Sequence, residues 1–391
     1  MKAYAGVLRT KGMTAWLVVV LAQRLPVAMS PLALLLLGRE VTGSYAIGAV
    51  LAGLFAMAEA VLAGWLGRRF DRRSPRAEMR LVLQVQAAAF VGLAVAAWTL
   101  TGTTLIVTLI VFTAVAGGAA AGAHGGLRAL LVKIVPERDQ QAALSLESSL
   151  TTLLWAVSPA AVGALAVTTG SLMSALVMAA LAAIGAMSAG ALPEPAVAAS
   201  HGSADRGIWR RGWPAMAQEG AVMMVVGAAY TTLPALLGDA TVAGLVLAGF
   251  AAAGIVGGLV YGGRRWPGRY RSQSVALIVV LSLAAVTASW TLTSPLLLVI
   301  GFLATPALAA RASGLQVLLP EREWAAGFSG LYAAGGLGFA AAGFLAAPLL
   351  DGSTPWIGLA GPAALAAIVT LVSGRAEAKA PLPGLVAPAL R

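Results

Sequence analysis

The 391-residue sequence contains no cysteine, which excludes disulfides and thiolate metal sites. Two histidines, His124 and His201, leave little for an imidazole metal cluster, so no metal or other cofactor is expected. No Gly-x-x-x-x-Gly-Lys-Ser/Thr loop is present; the chain does not hydrolyse nucleotide itself, and any work it does must draw on an ion or substrate gradient. Charge is scarce too, at 10% of residues, with only 15 acids. An enzyme should show a clustered nucleophile, metal ligands or paired carboxylates at one depth, and a receptor a substantial soluble domain. Neither pattern is present, which makes a membrane-embedded enzyme or receptor the remote reading.

What the sequence has instead is apolar surface. With 59% hydrophobic residues and a mean hydropathy of +0.88, it carries more than a soluble fold of this size can bury. Runs near the roughly 20 residues a helix needs to cross a bilayer fall at 13–37, 44–66, 79–100, 104–127, 142–167 and 172–192. A second set falls at 214–237, 241–262, 273–292, 295–316, 324–350 and 355–373. Membrane strands would alternate apolar and polar over about ten residues, and these runs are continuously apolar. The expected class is all-α integral membrane, with twelve transmembrane helices.

The second half spells out the first. Trp98-Thr-Leu-Thr recurs at Trp290 (offset 192), Ala22-Gln-Arg24 at Ala217-Gln-Glu219 (195), Val50-Leu-Ala-Gly53 at Val246 (196) and Pro136-Glu-Arg-Asp139 at Pro320-Glu-Arg-Glu323 (184). Near-constant offsets imply two pseudo-symmetric six-helix bundles, 1–192 and 214–373, joined by a cytoplasmic linker at 193–213 and followed by a tail at 374–391. A duplicated, very apolar chain of this length is most simply a secondary transporter.

A net charge of +11 and a pI near 10.8 would suit nucleic acid if the charge were gathered on one domain. It is not. Of the 26 Lys and Arg, 24 fall in segments that would face one side, Arg39 alone in an opposite loop, and Arg24 within a span. This positive-inside pattern places both termini in the cytoplasm and the chain in the cytoplasmic or inner membrane, with the lipid bilayer and no nucleic acid as partner. The first apolar run is long enough to span and continues into the repeat, so it reads as a retained helix and not a cleaved signal. The opposite-side loops are only a few residues each. Glycine and alanine crowd the spans, as at Gly117–Gly122 and Gly335–Gly338, where close helix approach is expected. Pro26 and Pro31 should bend the first span.

Gly67-Arg-Arg-Phe-Asp71-Arg72-Arg-Ser74-Pro-Arg76, after the second span, resembles the Gly-x-x-x-Asp-Arg-x-Gly-x-Arg signature of the major facilitator superfamily, with Ser74 in place of the second glycine. In the second half the acidic position is Pro267. Twelve spans in two halves with a long central loop agree with that family over the whole chain. Ser158-Pro159-Ala-Ala-Val-Gly163 resembles a weakened Gly-Pro-x-x-Gly-Gly motif of its proton-coupled exporters. The resemblance implies alternating access, with Gly67, Asp71, Arg72 and Arg76 in a gate. Physically, Asp71 set against the helix that opens after Pro320 would be stabilised by exposed amides, by about 0.3–1 kcal/mol, latching an outward-open state.

Arg24, Glu59 and Glu219 are the deepest charges. An ionisable group near the membrane centre costs at least about 2.5–3.5 kcal/mol, so each calls for a partner or an aqueous cavity. Arg24 with Glu59 as a structural pair is one reading. Substrate and proton coupling is the favoured one, because the repeat turns Arg24 into Glu219 and because Glu59 aligns with Ile255, breaking the symmetry. Gln23 and Gln218 stand beside the charges, and Trp155 and Phe339 align as apolar cavity walls. Arg128 with Glu147, and Arg311 with Glu323, read as structural ion pairs; His124 reads as a packed imidazole. The expectation is a monomeric, proton-coupled exporter of small amphipathic compounds such as drugs or metabolites. The alternative is an uptake permease for a small organic anion, with Arg24 as its ligand.

Overall fold

The structure is a computed structural model that describes residues 6–136, 139–194, 206–262, 266–291, 294–319, 324–352 and 354–379. Among them there are twelve helices long and apolar enough to cross a membrane and no strand. In chain order these are α1 Met13–Thr42, α2 Tyr45–Arg72, α3 Pro75–Thr99, α4 Gly102–Ile134, α5 Gln140–Thr169 and α6 Ser171–Ser188. The second six are α7 Arg206–Leu237, α8 Ala240–Gly262, α9 Tyr270–Thr291, α10 Ser294–Leu318, α11 Trp324–Leu350 and α12 Ile357–Lys379.

Local sequence sets their ends. Gly43, in the left-handed region at φ 78°, closes α1 by donating to the Arg39 carbonyl, and Ser44 accepts from the Ile47 amide to open α2. Pro75 follows the Ser74 cap at the start of α3, where its missing N–H costs nothing. Several helices overrun their apolar runs: α4 continues to Ile134, and α7 starts at Arg206, inside the stretch expected as linker. Hydropathy marks where a chain enters hydrocarbon, not where its backbone bonds begin. Helix α4 is two segments, Gly102–Ala120 and Ala123–Ile134, hinged at Gly122, whose φ of 78° suits a residue without Cβ.

Within the first bundle α3 and α1 pack on α6, and α2 packs on α1 and α4; in the second, α7 packs on α11 and α12, and α8 and α9 on α10. The bundles meet along α2–α11 and α5–α8. Small residues bring those backbones together. A methyl group added at Gly343 would stand 2.8 Å from the Ala49 carbonyl oxygen and 3.2 Å from Gly53 Cα, and one at Gly163 would stand 3.2 Å from Gly244 Cα.

The core shows which end is closed. One buried cluster takes Leu32, Phe55, Phe90 and Val162 from the first bundle and Tyr230, Leu247 and Phe339 from the second. Toward the end carrying most basic residues, the core splits. Trp16, Leu83, Leu127 and Leu130 form a core wholly within the first bundle, and Met216, Leu315, Leu319 and Leu331 one wholly within the second. The bundles share a core at the far face and keep separate cores at the basic face.

Candidate functional site

At the far face the closure ends in a cap between bundles. The Asp351 carboxylate, just past α11, accepts from the Ser44 hydroxyl and from the Tyr45 and Ala46 amides at 2.7 and 3.2 Å. Below it lies an aromatic cluster. The Tyr230 ring of α7 meets Trp155 of α5 edge-on at 6.2 Å, Phe250 of α8 at 6.3 Å and Phe339 of α11 at 6.0 Å. The aligned pair Trp155 and Phe339 thus belong to one cluster, joined through a tyrosine the sequence reading did not single out. Pro159 and Pro234 each stand four residues beyond an aromatic, Trp155 and Tyr230, whose carbonyls therefore lose their usual helical donor.

About three turns further toward the basic face is a layer of charge. Arg24 of α1 is buried and paired with Glu147 of α5, and its other guanidinium nitrogen donates to the Thr151 hydroxyl. Glu147 also receives Arg128 at 3.7 Å and lies 3.9 Å from His124 Nε2, both on the second segment of α4. Arg24 therefore pairs with Glu147 of α5 and not with Glu59, which on α2 faces Tyr332 of α11.

There Glu59 accepts a 2.7 Å hydrogen bond from the Tyr332 hydroxyl. One turn along α11, Gly336 lies against Ala60 of α2, while Gly335 lies against Glu219 and Met223 of α7. Glu59 and Glu219, from opposite bundles, therefore flank α11 at one level. Among the described residues neither has a cationic side chain within ion-pair distance. The Glu219 Oε2 atom is buried without a hydrogen-bond partner, as is Gln23 Oε1. A buried carboxylate with no protein partner on one oxygen can hold a proton or a cationic group.

Gln218, next to Glu219, belongs to a different assembly. Arg311 of α10, fully buried, holds Glu377 of α12 through both terminal nitrogens at 3.1 and 3.0 Å and donates to Gln218 at 2.7 Å. Ser274 and Arg271 of α9 complete it, at 2.5 Å to Gln218 and 3.4 Å to Glu377. Arg311 is thus paired with Glu377; Glu323, its expected partner, lies outside the described residues. A carboxylate on the last helix has no motif to announce it, and only the packing of α9, α10 and α12 on α7 brings it in.

The gate segment is described in part. Of Gly67, Asp71 and Arg72 only the backbone, at the end of α2, is described. Around them, Glu78 of α3, 1% exposed, receives Arg69 at 2.7 Å and Arg73 at 3.7 Å, and Arg76 donates to the Leu192 carbonyl at 2.5 Å. Arg76 also lies 3.7 Å from Glu194, so the segment is fastened to the end of the first bundle.

No protein-family model and no curated protein matches this sequence. Solved structures do match. A bacterial homolog of the human lysosomal transporter Spinster, in an inward-facing, occupied conformation, aligns with a TM-score of 0.70 at 13% identity, over 93% of this chain and 95% of that one. The same transporter, inward-facing and unoccupied, aligns at 0.66 and 14% identity, over 94% and 96%. A variant of the nucleoside transporter NupG aligns at 0.69 and 15% identity, over 92% and 99%. At such identities the likeness is one of fold, and that fold is the major facilitator fold. The chain is accordingly an all-helical, multi-pass membrane protein of two pseudo-symmetric six-helix bundles.

Proposed function

We propose that this chain is a secondary transporter that works by alternating access and exports small amphipathic compounds in exchange for protons. The observation that carries the reading is the pair of carboxylates, Glu59 and Glu219, flanking α11 without a cationic partner among the described residues. Each can hold a proton, and Glu219 can instead hold a cationic group of a substrate, so that protons and substrate compete for the interior. The aromatic cluster of Trp155, Tyr230 and Phe339 supplies an apolar dome about three helical turns, or about 16 Å, beyond Glu219 along α7. An amphipath fits such a two-ended space better than a sugar, which needs dense polar contacts.

With the basic face in the cytoplasm, the arrangement described is inward-facing. The two bundles, 1–192 and 214–373, rock against each other, and the Gly67–Arg76 segment with Asp71 latches the alternate, outward-open form. Arg24 as a ligand for a substrate carboxylate is disfavoured by its engagement with Glu147 and Thr151.

The test is transport by the purified protein in liposomes with an imposed pH gradient, using fluorescent cationic and neutral amphipaths. Gradient-driven movement that is lost in Glu59→Gln, with equilibrium exchange retained, is the expected result. Movement that ignores the gradient, or that is confined to organic anions, overturns the proposal.

A further inference from the structure

Tyr332 joins more partners at the bundle interface than its unremarked place in the sequence implies. It sits on α11, in the second bundle, yet its hydroxyl donates to Glu59 on α2 at 2.7 Å and its ring stacks on the His124 imidazole of α4 at 5.3 Å, both in the first bundle. It is also 41% exposed while Glu59 is 8% exposed.

We propose that Tyr332 is the positioning residue that ties the two bundles together according to the protonation of Glu59. This rests on the reading of Glu59 as a protonation site. An ionised carboxylate accepts the phenol proton in a charge-assisted bond, roughly twice as strong as a neutral one. When Glu59 takes a proton the bond becomes a neutral one of about half the strength, so the polar tie of α11 to α2 weakens one turn from the point where Gly336 packs on Ala60. The glycine–glycine contacts nearer the far face carry no such dependence. The tie is present at high pH and weakens as pH falls through the titration of Glu59, which frees α11 to move against α2.

Other groups face this point. Arg24 and Arg128 are engaged with Glu147; Glu219 lies across α11; His124 lies against both the Tyr332 ring and Glu147. Of these His124 is in direct contact with the Tyr332 ring, so the experiment separates it from Glu59.

The cysteine-free chain permits a direct measurement without substrate. Spin labels at Ala129→Cys and Val317→Cys, near the basic-face ends of α4 and α10, report the separation of the bundles in liposomes between pH 5 and 8. The separation in the otherwise unchanged protein should shift with pH. Glu59→Gln should hold the low-pH separation throughout; Tyr332→Phe, which keeps the ring over His124 but removes the bond, should also lose the pH response, at or beyond that separation, and the double variant should add nothing to Tyr332→Phe. His124→Gln should keep the response. A pH-dependent separation in Tyr332→Phe identical to that of the parent, additive effects in the double variant, or loss of the response in His124→Gln alone would each overturn the proposal. So would a parent that does not respond to pH, and because no substrate is present that result leaves the export reading to stand or fall on its own transport assay.

Discussion

At the scale of single residues, the charges inside the bundles sort by whether their partners are complete. Arg24 and Glu147 form a buried pair with Thr151 as a third member, and Arg311 and Glu377 form another with Gln218, Ser274 and Arg271. Removing one partner of such a pair leaves an uncompensated charge and costs about 3–5 kcal/mol. Arg24→Ala should therefore lower the unfolding midpoint in detergent sharply, and adding Glu147→Gln should recover most of the loss, whereas adding Glu59→Gln should recover little. Equal rescue by both would show that Arg24 serves the two acids alike. Arg311→Lys should also destabilise, because an ammonium cannot reproduce the paired bonds to Glu377. Glu219 is the opposite case. Its bare oxygen makes Glu219→Gln neutral for folding, and the expected loss falls on binding of cationic compounds, more than on neutral ones of the same size.

At the scale of helices, the pairs α2–α11 and α5–α8 carry the closure, and their contacts combine backbone proximity with one polar cap. Asp351 meets the first amides of α2, where a carboxylate gains from both hydrogen bonds and the helix dipole, typically about 0.3–1 kcal/mol for an exposed site. Asp351→Ala should shift the population toward opening at the far face, read as faster reaction of a single Ala46→Cys with an impermeant maleimide. Gly343→Ala should act in the same direction, since its methyl would press on the Ala49 carbonyl. If labelling is unchanged in both, the cap and the glycine contact do not set the closure. Neither change touches the interior pairs; Asp351→Ala should leave stability near that of the parent, whereas Gly343→Ala should lower it, because the Ala49 backbone must shift.

At the scale of the whole molecule, orientation follows from charge. Because 24 of 26 basic residues fall in segments expected to face one side, Ser272→Cys at that face should be shielded in intact cells and Thr101→Cys at the other should label. Reaction of Ser272→Cys from outside would reverse the orientation and, with it, the direction proposed for transport.

The sequence by itself determined the number of spans, the duplication and the fold class. Each is a local or linear property: lipid obliges every crossing segment to be apolar for about 20 residues, whatever its neighbours, and duplicated words such as Trp98-Thr-Leu-Thr and Trp290-Thr-Leu-Thr survive as text. The sequence also marked Arg24, Glu59 and Glu219, since a charge in a long apolar run is conspicuous. Only the tertiary structure decided who meets whom: Glu147 for Arg24, Glu377 for Arg311, Tyr332 for Glu59, and Asp351 at the head of α2. In water a buried helix face announces itself by contrast with a polar one. In lipid both faces are apolar, so the rotation and register of each helix leave little trace in the pattern of residues. They are fixed by close packing of glycines and by polar groups that find one another only once the helices are assembled.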